Sequence, residues 1–289
     1  MPPLTWNADR QALARGRART SFGVKWRNYL RANGAWDAID LTPRQVAGEF
    51  VFDRGPYALT APALADGWVT FESTNRYDIH SKQVRSDAKV GIQKRYQCAP
   101  VPGEVTANGV LYAGAFPALS ADRLIQPHEQ KVRDLVAWAS EPPGTGDIEV
   151  PFAIDFGGLP PLESLGEGQE PREYTDAADR DTDHGFSFAT GGFRGVRIKR
   201  PMVWDSAGRR ARIRIRARVS GTRLLAKKII PRAFFAGATY PVYADTTSTF
   251  YPDPDTETTS VDGWVYRDAA GEAWATIRAG AGTVRSDAG

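Results

Sequence analysis

The chain has 289 residues, 42% hydrophobic and 25% charged, a globular composition long enough for one large domain or two medium ones. One cysteine, Cys98, and three histidines exclude a disulfide framework and a structural zinc module. The formal net charge of +3 hides segregation: Lys and Arg counted against Asp and Glu give +6 for residues 1–31, −4 for 32–150, −7 for 151–193, +13 for 194–232 and −5 beyond.

Such alternation predicts that acidic and basic segments meet, within one subunit or between subunits, because charge complementarity sets orientation. No window approaches the roughly 20 apolar residues that span a bilayer, and the first residues carry no apolar stretch of signal-peptide length. The expectation is a protein outside the membrane, made without a secretion signal.

In chain order, residues 1–22 read as a basic arm. Gly16 interrupts any helix there, and Arg10, Arg15, Arg17 and Arg19 supply the charge for docking on an acidic partner surface. Short apolar and aromatic runs then predict strands at 49–52, 67–71 and 91–96, with turn signals at Arg54-Gly55-Pro56, Ala65-Asp66-Gly67 and Asn108-Gly109. Between Ala121 and Ser140, Pro127 stands mid-segment and Val132, Val136 and Trp138 share one parity, so a hairpin turning over Pro127-His128-Glu129-Gln130 is expected rather than a helix. The segment 162–185 reads as an acidic loop broken by Gly and Pro, followed by strands at 186–188 and 193–198.

Arg212-Ile213-Arg214-Ile215-Arg216-Ala217-Arg218-Val219 alternates strictly, which as one strand puts Arg212, Arg214, Arg216 and Arg218 on a single face. Aligned like charges repel unless paired. Three readings compete: acids of this chain or a neighbouring subunit, a solvated face, or a bound nucleic acid or anionic polysaccharide. Pairing with acids of Glu163 to Asp183 is expected, because the alternate positions are aliphatic rather than the aromatics that single-stranded nucleic acid stacks on. Tyr240-Pro241 reads as extended edge backbone leaving a domain, 246–255 as a linker, and the Trp264 and Trp274 runs as strands of a further unit.

Asp179, Asp181 and Asp183 have the spacing that opens a calcium loop, but His184 and Thr190 occupy the positions that need Gly and Glu. None of His80, His128 or His184 accompanies a nucleophile elbow, and there is no phosphate loop or dinucleotide fingerprint. No catalytic residue, cofactor or metal is assigned.

The stretch Pro201 to Gly208, then Leu224-Leu225, Ile229-Ile230-Pro231, Phe234-Phe235 and Ala238 to Thr247, resembles the paired β-domain segment ahead of lectin-like or Rhs-type sandwich domains. Such segments occur in bacterial surface proteins and in virion structural proteins of tailed bacteriophages. The resemblance runs from about Trp26 to Thr247 and is most specific over Tyr240 to Asp245; Ala118 stands where the family has Gly. It implies an all-β fold with two β-sandwich-like domains, 23–150 and 151–245, behind the extended arm, and a linker with the start of a distal β domain in 246–289. The function expected is a non-enzymatic virion protein, a fibre, spike or decoration base in tail or capsid. It is assembled in the host cytoplasm with other virion proteins, is homo-oligomeric with a trimer favoured, and presents a distal domain to host-surface polysaccharide. The alternatives are a carbohydrate-binding bacterial surface adhesin or a polysaccharide depolymerase.

Overall fold

The computed structural model describes residues 5–13, 17–25, 28–30, 36–55, 57–73, 76–78, 83–85, 90–107, 109–128, 131–157, 159, 161–164, 172–182, 184–190, 193–199, 201–245 and 248–249. The described chain is all-β, as its punctuated runs of alternating residues require.

Two small hairpins come first: β1 (Thr5–Leu13) with β2 (Arg17–Lys25), and β3 (Asn28–Leu30) with β4 (Trp36–Ala38). The chain then meanders through β5 (Arg44–Val46), β6 (Glu49–Phe52), β7 (Tyr57–Ala61) and β8 (Val69–Ser73), followed by the hairpin β9 (Arg76–Asp78) and β10 (Gln83–Arg85), and by β11 (Val90–Tyr96), which pairs with β8. A second meander runs through β12 (Glu104–Thr106), β13 (Gly109–Phe116), β14 (Ala121–Pro127) and β15 (Lys131–Trp138), after which β16 (Ile148–Asp155) returns to pair with β11. Next are β17 (Pro161–Ser164), β18 (Arg172–Glu173), β19 (Arg180–Thr182), β20 (Gly185–Thr190) and β21 (Phe193–Ile198). The last described strands are β22 (Met202–Asp205), β23 (Arg210–Arg212), β24 (Arg214–Ser220), β25 (Arg223–Ile230), β26 (Val242–Asp245) and β27 (Ser248–Thr249).

Two antiparallel sheets face each other. Sheet I has the order β19-β24-β25-β16-β11-β8-β7-β6-β5, and the backbone of sheet II is β12-β13-β14-β15-β27-β21-β20-β17-β18, with β26 and β22 extending from β15. Their inward residues form one buried cluster, to which sheet I gives Phe52, Leu59, Phe71, Ile92 and Ile215, and sheet II gives Tyr112, Ile125, Val136, Trp138 and Phe188. Sandwich packing of this kind needs alternating in and out residues, which β7 shows in its burial pattern.

The boundary expected at residue 150 separates nothing here. Strands from both sides of it are hydrogen-bonded neighbours, β11 with β16 in sheet I and β15 with β26 in sheet II, and they share the single core. A sequence reading misses this because strand order in a sandwich is set by partners far apart in the chain. Tyr240-Pro241 is corrected for the same reason: it leads into β26, which lies between β15 and β22 rather than on an edge.

The basic arm is also revised. Residues 5–13 and 17–25 pair in the register Arg10↔Thr20, Gln11↔Arg19 and Leu13↔Arg17, and these strands pair with no other strand among the described residues. Arg15 lies outside the described residues, as do 246–247 and 250–255 of the expected linker and the Trp264 and Trp274 runs, while Ser248–Thr249, expected as linker, form β27 between β15 and β21. By contrast, the hairpin expected at Pro127 to Gln130 is present, with Pro127 opposite Val132. No described helix is long and apolar enough to cross a membrane.

Candidate functional site: an ion-paired seam and a buried charge cluster

The run of alternating arginines is not one strand. Ile213, almost wholly buried, donates its N–H to the Pro201 carbonyl at 3.3 Å while the chain crosses from β23 in sheet II to β24 in sheet I. Arg212 is therefore exposed on a different sheet from Arg214, Arg216 and Arg218, and the row of four is a row of three. Strands that switch sheets at a corner are a common way to close a sandwich, and an apolar residue at the crossing holds the corner in the core.

The remaining three arginines meet the acidic segment. That segment is less of a loop than its composition suggests, since it contains β17, β18 and β19, and β19 pairs with β24 in the register Asp181↔Arg216. Asp181 accepts from Arg216 Nε at 2.6 Å, Arg216 Nη2 at 3.2 Å and Arg214 Nη1 at 2.8 Å. Hydrogen bonds from Arg216 hold its carboxyl below the usual range. Arg218 Nε stands 3.7 Å from Asp179. Two of the three aspartates with calcium-loop spacing, Asp179 and Asp181, are thus engaged by guanidinium groups, and Asp183 lies outside the described residues.

Beside this row lies the seam where both sheets end, at β18 of sheet II and β19 of sheet I. Glu163 closes it. Only 2% exposed, its carboxylate accepts from Thr182 Oγ1 at 2.6 Å, Arg180 Nη2 at 2.5 Å and Arg172 Nη2 at 3.3 Å. Burial alone would raise the Glu163 carboxyl, but the Thr182 and Arg180 hydrogen bonds hold it below the ordinary value. Arg180 also reaches Asp176 at 2.6 Å and lies over the ring of Tyr174, whose hydroxyl donates to the Ala217 carbonyl. An open cleft of about 380 Å³ sits over these groups, completed by His184 and Arg214. Replacing Glu163 by glutamine keeps the shape but loses the charge that Arg180 faces; the expected loss is about 1–2 kcal/mol in urea unfolding at an unchanged slope.

A second cluster lies wholly inside. Lys94 on β11 and Lys228 on β25 point inward from sheet I, while Arg123 on β14 and Asp134 on β15 point inward from sheet II, and all four are 0% exposed. Asp134 takes Arg123 through Nε at 3.0 Å and Nη2 at 3.1 Å, and Lys94 Nζ at 3.0 Å. Arg123 also donates to the Ala65 carbonyl, Lys94 to Tyr96 Oη at 3.2 Å, and Lys228 to the Ala244 carbonyl at 3.4 Å. All three cations lie over the Tyr96 ring, 4.6 to 5.1 Å from its centroid.

Burial alone would raise the Asp134 carboxyl; Arg123 and Lys94 outweigh it and hold it well below the usual carboxylate range. Burial lowers both lysines, Lys228 further because the charge of Lys94 opposes it. Burial pushes the Cys98 thiol up to about 11, which keeps it protonated at neutral pH. Among the described residues no group of three or more His, Cys, Asp or Glu is placed to hold a metal.

Of the arginines singled out by sequence, the fold thus brings Arg214, Arg216 and Arg218 to the acidic segment, sets Arg212 on the other sheet, and puts Arg10, Arg17 and Arg19 on the separate hairpin. No family model, curated protein or solved structure matches this chain.

Proposed function

We propose that the chain is a non-enzymatic structural protein of a tailed-phage particle. In this reading it is a fibre, spike or decoration base that joins other virion proteins through its N-terminal hairpin and assembles as a homo-oligomer, with three subunits favoured because a repeated heterologous contact closes readily around an axis. The residues after Asp245 carry a distal binding unit.

The observation that supports this reading is the β1–β2 hairpin. It hydrogen-bonds to neither main sheet among the described residues, and two strands alone are marginal in water. With five bases and one acid between residues 5 and 25, it suits an acidic surface on another protein. Its edges, unpaired among the described residues, offer backbone groups for strand addition.

Particles purified from a host expressing the intact chain should contain it, and a chain lacking residues 1–25 should be lost from them while keeping the melting temperature of the body. Light scattering of the intact chain should give three times the monomer mass. Absence from particles, or normal incorporation of the shortened chain, overturns the anchoring reading; a strictly monomeric mass both in solution and in particles overturns the oligomer.

A further inference from the structure

The seam between the two sheets carries chemistry that ion pairing alone does not use up. We propose that the cleft over Glu163 binds the carboxylate-bearing ring of an acidic polysaccharide, a hexuronate unit. The two carboxylates of the cleft are turned to protein partners: Glu163 accepts from Thr182, Arg180 and Arg172, and Asp181 accepts from Arg214 and Arg216. What faces the opening is a set of N–H donors. The side chains of Arg172 and Arg214 are 57% and 53% exposed, and their hydrogen bonds to described residues use one N–H each of the five that a guanidinium has. A guanidinium held at one corner by a carboxylate presents its remaining donors as a planar fork, which suits another carboxylate.

The other features of the cleft select the rest of the ligand. Its volume of about 380 Å³ exceeds what a bare inorganic anion fills, so the charged group arrives attached to something larger. Every described side chain that lines it is polar or charged, and Tyr174 is covered by Arg180, so a nucleobase finds no described ring to stack on. A polyhydroxylated ring is the remaining fit, with Asp181, a third exposed, able to accept from a sugar hydroxyl. Among the described residues the lining holds three arginines and two carboxylates, and Asp176 and Asp147 approach Arg180 and Arg214 from outside it at 2.6 and 4.0 Å, so the exposed Arg172 fork is where a single carboxylate fits. A polyphosphate, carrying several negative charges, would meet the field of Glu163 and Asp181 at close range.

This inference does not rest on the virion reading, because binding can be measured on the purified intact chain whatever particle it belongs to. The experiment is calorimetric titration with oligosaccharides of galacturonate, of mannuronate and of alternating glucuronate, each beside its methyl ester, together with sodium sulfate. At least one acidic oligosaccharide should bind, and its ester and sulfate should each bind at least about tenfold more weakly. Arg172→Gln and Arg214→Gln should each weaken binding about tenfold without changing the melting temperature, while Lys227→Gln, on sheet I but outside the cleft, should leave it unchanged. Absence of binding by all three acids, equal binding of ester and acid, sulfate binding as tight as the sugar, or full affinity in the Arg172 variant would each overturn the proposal.

Discussion

Replacing Asp134 by asparagine should cost about 3–5 kcal/mol of folding stability, read as a fall in the urea midpoint at constant slope. The amide has nearly the same shape, so little of the effect comes from packing. What changes is the charge: Arg123 and Lys94, each within about 3 Å of the carboxylate and wholly buried, lose their counter-ion and face each other and Lys228 in a medium that screens poorly. Asp134 contributes its stability above the ordinary carboxylate value of 3.8 and loses it as pH falls below, because its folded pKa is depressed. The variant should therefore lose that part of the acid dependence as well.

A companion variant separates the network from its charge. Changing Lys94 and Arg123 to methionine and Asp134 to leucine together removes the three charges in direct contact, leaving Lys228 to Asp245 and the Ala65 carbonyl without its donor as the main polar costs. That triple variant should be far more stable than Asp134→Asn, since buried ion pairs replaced by apolar groups of similar volume are often neutral. If the single asparagine variant loses less than about 1 kcal/mol, the cluster is not desolvated as described and this account of it is wrong.

The buried cluster had a signature in the sequence that composition and motif reading passed over. In Gly91 to Tyr96, Lys94 has the parity of Ile92 and Tyr96, and those three are buried while Gln93 and Arg95 are exposed. Arg123 shares its parity with Ala121 and Ile125, Lys228 with Leu224, Ala226 and Ile230, and Asp134 falls between Val132 and Val136 on the face that marks the hairpin as a hairpin. A charged residue on the apolar parity of a strand is the signal for a buried pair, and four such residues with three cations and one anion call for one shared site. Which of them meet is not legible, because it depends on the stacking of two sheets.

Local periodicity was enough for other parts. The strands at 49–52 and 193–198 occur with the limits their alternation sets, and the hairpin at Pro127 follows from a residue that cannot sit inside a helix. Pairing of the arginines with the acidic segment follows from charge segregation alone, as Asp179 and Asp181 show. The departure at Arg212 comes from long-range structure: nothing in an unbroken alternation marks where a chain leaves one sheet for another. Glu163, Arg172 and Arg180 are likewise brought together by a seam whose two edges belong to different sheets.

The second large effect expected is a loss of about 1–2 kcal/mol of stability as pH falls from 6.5 to about 4, solvent screening of the half-buried ring included, and most of it is removed by His128→Gln. His128 sits at the end of β14, where its N–H donates to the Lys131 carbonyl at 2.8 Å and its own carbonyl accepts from Tyr57 of sheet I. Its Nε2 is buried with no hydrogen-bond partner among the described residues. Burial, then the charges of Arg133 and Lys131, push the imidazole down to about 4 from an ordinary 6.5. Between those values the unfolded chain takes up a proton that the folded one refuses, so acid favours unfolding across that window, and above it the group contributes no pH dependence. Asp134 gives up its contribution only below its ordinary value of 3.8, and Glu163, which begins to do so near its ordinary value of 4.5 at the acid end of the window, does so equally in both proteins and cancels in the comparison. Urea unfolding at about pH 7 and about pH 4.5 on the intact chain and the variant gives the comparison directly. The two proteins should differ little near neutrality, and the variant should be the more stable at the lower pH. Equal slopes for both across the window would mean that the imidazole takes its proton in the folded state, and that its Nε2 is reached by water.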